Sequence, residues 1–136
     1  MKRMAFFVFA WVLTISCSKN TENTGKLEGR WQLTAMFLAP SGNGRWYTVD
    51  SIPLPFLQFN PDGSLTMSAY VSSLYNDPIG YTVTSNTKIA FNYPNGGNTL
   101  YGENIVTYQL TDSVLTIIPP DMEYAEEKYI RVKTNP

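Results

Sequence analysis

From Leu27 onward, large apolar side chains recur at every second position, in short runs punctuated by Gly, Pro, Asn and Asp. Trp31, Leu33, Ala35 and Phe37 alternate with Gln32, Thr34 and the less polar Met36 and Leu38. Leu57 and Phe59 flank Gln58 and run into the turn Asn60-Pro61-Asp62-Gly63, after which Leu65, Met67 and Ala69 interleave with Ser64, Thr66 and Ser68. Tyr81 and Val83, then Ile89, Phe91 and Tyr93, then Val106, Tyr108 and Leu110, then Leu115 and Ile117 repeat the pattern, and Tyr129 to Lys133 form the last run. A period of two puts one face of each run toward a core and the other toward water, which is the signature of half-buried strands. Sustained helical spacing is absent, and residues 70–79 offer the one plausible short helical turn. The pattern predicts an all-β fold: a small antiparallel up-and-down meander of about eight strands closed into a barrel, with a β-sandwich as the alternative. Closure removes the edge strands that an open meander leaves as aggregation sites.

The segment before this pattern has a different character. Lys2 and Arg3 precede an apolar stretch from Met4 to Ile15, interrupted by Thr14 and too short for a comfortable permanent membrane span. Leu13-Thr14-Ile15-Ser16-Cys17 follows, with a small residue directly before the cysteine. This resembles the bacterial lipobox, with Leu13 one place earlier than usual. The resemblance implies that residues 1–16 are a lipoprotein signal peptide and that Cys17 carries acyl chains such as palmitate. A plain secretory signal and a single membrane anchor are the competing readings. Residues 17–26 would then be the lipidated cysteine and a flexible tether, since 18–26 contain no large apolar side chain. The domain would occupy residues 27–136. Ser18, not Asp, follows the cysteine, so the resemblance favours the outer membrane of a bacterial cell envelope, with the domain in the periplasm or outside.

A second resemblance begins at Gly29-Arg30-Trp31. Gly-x-Trp opening the first strand of a small meander is similar to the lipocalin signature. The hairpin at Asp62-Gly63, the pair Tyr108–Leu110 with Leu115–Ile117, and a last strand containing Arg131 resemble bacterial lipocalin-like lipoproteins. The resemblance implies that Gly29, Trp31 and Arg131 close one barrel end, the cation lying over the indole, with Lys133 as the other candidate for that cation.

Composition narrows the chemistry. Charged residues are only 15% of the 136-residue chain against 43% hydrophobic, which suits a packed domain and not a disordered one. The net charge of −1 falls by two when Lys2 and Arg3 leave, and the remaining cations are scattered, so no basic stripe for nucleic acid exists. The chain contains 0 histidines, which removes the usual general base and the commonest zinc ligand. Asp121, Glu123, Glu126 and Glu127 read as a solvated acidic loop before the last strand, and Asn95-Gly96-Gly97-Asn98 as a loose hairpin, not a phosphate loop. No metal, cofactor or catalytic site is expected.

Aromatic residues, at 14%, are the remaining resource, and they serve as core or as cavity lining. Phe59, Met67, Tyr81, Phe91 and Tyr108 are the candidate walls of an apolar site inside the barrel. Trp46 and Tyr47 are expected in a loop near its mouth, at the end away from Trp31 and Arg131. Two functions follow: a membrane-anchored, non-enzymatic binding module for a small apolar or amphipathic molecule, or an accessory protein with a filled barrel and a surface contact patch.

Overall fold

The computed structural model describes residues 27–39, 42–94, 104–120 and 125–133. Cys17, the tether, the glycine pair at 96–97, and Asp121 and Glu123 lie outside them. In chain order the elements are β1 (Gly29–Leu38), β2 (Arg45–Thr48), β3 (Phe56–Phe59), β4 (Leu65–Met67), α1 (Ala69–Leu74), β5 (Gly80–Ser85), β6 (Lys88–Asn92), β7 (Ile105–Leu110), β8 (Val114–Ile118) and β9 (Ala125–Arg131). The strands are antiparallel in the order β4-β3-β1-β9-β8-β7-β6-β5, with β2 attached beside β3 on the same edge of β1.

The two ends of this sheet meet. Leu65 N–H donates to Ile79 O at 3.0 Å and Tyr81 N–H to Gly63 O at 2.8 Å, with Ser64 opposite Gly80. Eight strands therefore form an up-and-down sheet nearly closed into a barrel, as the period-two pattern predicts. The seam needs a glycine. A Cβ at Gly80 would lie 2.9 Å from Gly63 O, on backbone that cannot swing aside. Gly80→Ala is expected to cost about 1–3 kcal/mol, read as a lower urea midpoint with an unchanged slope.

Alternating strand direction sorts the connections. Short turns at 60–64, 86–87 and 111–113 lie at the end where β1 begins; β2, α1, the end of β6 and the start of β7 lie at the end where β1 finishes. The Asn60–Gly63 turn is made as its sequence predicts: Gly63 takes φ +82°, Gly63 N–H returns to Asn60 O at 3.0 Å, and Asp62 Oδ1 accepts from Ser64 N–H.

Three expectations require correction. Strict alternation puts Ala35 and Phe37 on the face of Trp31 and Leu33. A register shift in the pairing with β9, between Leu33 and Ala35, reverses the phase, so Met36 opposite Glu127 packs on the core. Trp46 and Tyr47 are not in a loop: β2 pairs them with Phe37 and Met36. The last strand starts at Ala125, four residues before the expected Tyr129, which takes Glu126 and Glu127 out of the supposed acidic loop.

Candidate functional site

At the end where β1 begins, the residues expected to form the closure are together. The Trp31 indole is fully buried, and its Nε1–H donates to Leu27 O at 2.8 Å. The Arg131 guanidinium carbon lies 4.2 Å from the centroid of that ring. Arg131 also donates from Nη1 to Glu28 O at 2.8 Å and from Nε to Asp112 O at 3.2 Å, joining the entering chain to the β7–β8 turn. Gly29 is favoured by its φ of +121°, which side-chain-bearing residues rarely adopt, and a Cβ there would stand 3.1 Å from Arg131 Nη1, so the guanidinium would have to shift slightly.

The interior is filled. Leu33, Leu57, Ile89, Tyr108, Leu115, Ile117 and Tyr129 each have 0% of their surface accessible, and Phe59 and Phe91 only 1%. A side chain with no accessible surface borders no void large enough for water. Of the candidate cavity walls, Phe59 stacks edge-on to Tyr81 at 4.8 Å, Tyr81 and Tyr108 bond the Asn60 and Ser85 carbonyls, and Met67 is partly buried against the same core. Among the described residues, Phe59, Phe91 and Tyr108 are brought together in a packed core, with Tyr81 and Met67 toward its margin.

A carboxylate sits within this core. Glu127 is 3% exposed, between inward-facing Ala125 and Tyr129 on β9. Its Oε2 accepts hydrogen bonds from Tyr129 Oη at 2.6 Å and from Tyr75 Oη. Burial raises the Glu127 pKa above its ordinary value, while the two hydroxyl bonds pull the other way. Both tyrosines are pushed well above the usual phenol range, chiefly by burial and then by the neighbouring carboxylate. Tyr75 belongs not to the barrel wall but to the C-terminal cap of α1, which crosses the end where β1 finishes and inserts Val71 and Tyr75 into the core. The signal for Glu127 was present in the sequence: Ala125, Glu127, Tyr129 and Arg131 share one face at period two.

Beside α1 the surface opens into a cleft of about 540 Å³. Met36, Leu38, Tyr47, Val49, Pro53, Pro55 and Tyr70 supply an apolar lining, and Thr48, Asp50, Ser51 and Ser68 the polar positions. Sequence reasoning found only Tyr47 among these. The others are missed because the bulge hides the facing of Met36 and Leu38, and Val49 to Pro55 have no periodicity to read. Trp46 is directed elsewhere. Its ring packs on Phe37 at 5.6 Å, Lys128 Nζ lies 4.5 Å from its centroid, and it remains 44% exposed on the outside of the barrel.

Among the described residues no group of three or more acidic or cysteine side chains is arranged to hold a metal ion, and no helix is long and apolar enough to cross a membrane. Fold and site together define an all-β barrel with a filled interior, one end closed by Trp31 and Arg131, and an apolar cleft at the other. Compared with protein families, curated proteins and solved structures, the chain matches none.

Proposed function

We propose that the protein is a membrane-tethered, non-enzymatic binding module that takes a small apolar or amphipathic molecule in the cleft beside α1. The observation that carries this reading is the cleft itself. Its volume of about 540 Å³ is that of a small-molecule site, and its lining combines apolar walls with a few polar positions. The site proposed from sequence alone lay inside the barrel; the filled interior moves it outward, still at the end away from Trp31 and Arg131. The Gly29–Trp31–Arg131 cluster supports the lipocalin-like resemblance because it supplies the contact that the resemblance implies.

An environment-sensitive apolar dye is expected to bind saturably to the protein in solution. Tyr47→Ala combined with Val49→Ser should weaken it roughly tenfold, the equivalent of about one buried methylene per side chain. Trp46→Phe, on the outer surface, should leave it unchanged. A filled barrel beneath exposed Trp46, Tyr47, Ile52 and Tyr70 favours the second reading, an envelope accessory protein with a contact patch. Absence of saturable binding across chemically unrelated dyes would decide for it.

The tether rests on Cys17 and the segment before it. Acyl chains contribute about 0.8 kcal/mol per buried CH₂, so two or three hold a protein firmly at a bilayer. The wild type is expected in the detergent phase with a mass increased by its acyl groups, and Cys17→Ala in the aqueous phase without that increment. Equal mass and equal partitioning would remove the anchor from the account, and with it the assignment to the outer membrane.

A further inference from the structure

Strand side chains supply most of the described core, but beside Glu127 the interior is entered by Tyr75, from the C-terminal cap of a helix of six residues. The helix is short, and its own ends contribute little to it. Its N-cap, Ser68, makes no side-chain capping bond, no acidic residue occupies its first turn and no basic residue its last. Asn76 and Asp77, directly after it, both take left-handed backbone angles, φ 59° and 57°, which end the helix and which Asn and Asp adopt more readily than other non-glycine residues. Beyond the burial of Val71 and Tyr75, the helix is tied to the barrel at its start by Ser68, which exchanges two hydrogen bonds with the Phe56 backbone at 3.0 and 3.1 Å. It is tied along its length by Tyr70 Oη donating to Met36 Sδ at 3.3 Å, and at its end by Tyr75 Oη on Glu127 and Tyr93 Oη donating to Tyr75 O at 2.8 Å.

The carboxylate has no cost-free role in folding. An ionisable group in an apolar core is tolerated only when hydrogen-bonded, and apolar residues fill the neighbouring inward positions without that demand. Its two donors differ in kind. Tyr129 is part of the wall, whereas Tyr75 is brought by the helix, and both donate to Oε2; no described residue donates to Oε1. The Tyr75 ring meets the Phe91 ring edge-on at 4.9 Å. The pocket that holds Tyr75 is thus already a receptor for an aromatic ring bearing a hydroxyl, with Phe91 for the ring and Glu127 for the donor.

We propose that α1 is a displaceable plug, and that the space it vacates is a binding site for a phenolic molecule whose ring and hydroxyl replace those of Tyr75 on Phe91 and Glu127. The site lies inside the barrel end and does not depend on the surface cleft being occupied. A ligand must compete with an intramolecular side chain, so affinity for the wild type is low and rises when Tyr75 is shortened.

The test compares 4-butylphenol with butylbenzene, by calorimetry and by amide hydrogen exchange on the full chain. Butylphenol should bind the wild type weakly and speed exchange across α1. Tyr75→Ala should bind it at least about tenfold more tightly, and should prefer it to butylbenzene by a similar factor, as loss of one hydrogen bond to a charged group implies. Glu127→Leu should abolish that preference. If Tyr75→Ala does not fold, Tyr75→Phe serves: it keeps the ring, loses the hydroxyl, and should show faster α1 exchange and tighter butylphenol binding than the wild type. Equal affinity of the Tyr75 variant for the two probes, or binding to the wild type with α1 exchange unchanged, would overturn the proposal. Tyr47→Ala with Val49→Ser separates it from the cleft reading, because that variant should weaken the apolar dye and leave butylphenol untouched.

Discussion

Trp31→Ala is expected to destabilise the domain by about 3–5 kcal/mol, the range for removing a large aromatic from a packed core. The indole is fully buried, so truncation leaves a void bounded by Leu27 and the guanidinium of Arg131. It also strips Leu27 O of its partner and Arg131 of the ring beneath it. Arg131→Ala should cost less: the cation–π contact contributes roughly 0.5–2 kcal/mol, and its hydrogen bonds go to carbonyls near the surface that water can serve. The double variant should fall short of the sum, because both residues act in one contact. Equilibrium urea unfolding of the four proteins provides the cycle. Strict additivity would mean that the stacking contributes nothing to closing this end.

The second large effect is expected at Glu127. Glu127→Ala leaves two buried tyrosine hydroxyls without their acceptor, at roughly 1–3 kcal/mol each. Glu127→Gln keeps an acceptor and should be much milder at neutral pH. The two also differ from wild type in their pH dependence, and the sign is fixed by the direction of the shift. Burial raises the folded-state pKa above the ordinary 4.5, so the native protein holds this proton to higher pH than the unfolded chain does. The stabilisation from that proton is complete below about pH 4.5 and is lost as pH rises through the folded pKa. Wild-type stability relative to Glu127→Gln should therefore decline as pH rises from about 4.5 through the raised folded-state pKa. Parallel profiles, or a relative gain over that interval, would mean that the carboxyl is not shifted upward in the native state.

The architecture was legible because it depends on alternation, and alternation is a local property. Leu57 with Phe59, Ile89 with Phe91, and Leu115 with Ile117 each point inward as their spacing requires. The Asp62-Gly63 turn and the short helical segment near residue 70 were likewise readable from turn chemistry and a lapse in the period. What failed was phase. One extra residue in β1 moves Met36 to the inside and Phe37 to the outside, and nothing in a run of apolar residues marks where a bulge falls. Trp46 and Tyr47 sit between glycine- and proline-bearing segments, which read as loop because β2 is short and depends on β1 for its hydrogen bonds.

The candidate site was harder to read than the fold, for a related reason. Whether aromatic side chains at period two enclose a cavity or fill one is a question of volume, and pattern carries no volume. Tyr108, Phe91 and Phe59 share one core with Val71 and Tyr75 of the α1 segment, and the Tyr75–Phe91 contact joins residues distant in sequence. Charge misled in the same way. Four carboxylates in one stretch suggest hydration, yet Glu127 is turned inward by its place on β9, two residues from Tyr129. Its partner Tyr75 lies 52 residues away, beyond any local signal.

The most direct test of the account is to locate the bound probe by methyl NMR during titration with an apolar dye that has no hydroxyl. Binding in the cleft should shift the methyl resonances of Met36, Val49 and Leu38, leaving those of Ile89, Leu115 and Ile117 in the filled interior at their starting positions. Shifts confined to Ile89, Leu115 and Ile117, with Met36 and Val49 unmoved, would place the ligand inside the barrel and contradict the cleft as the binding site.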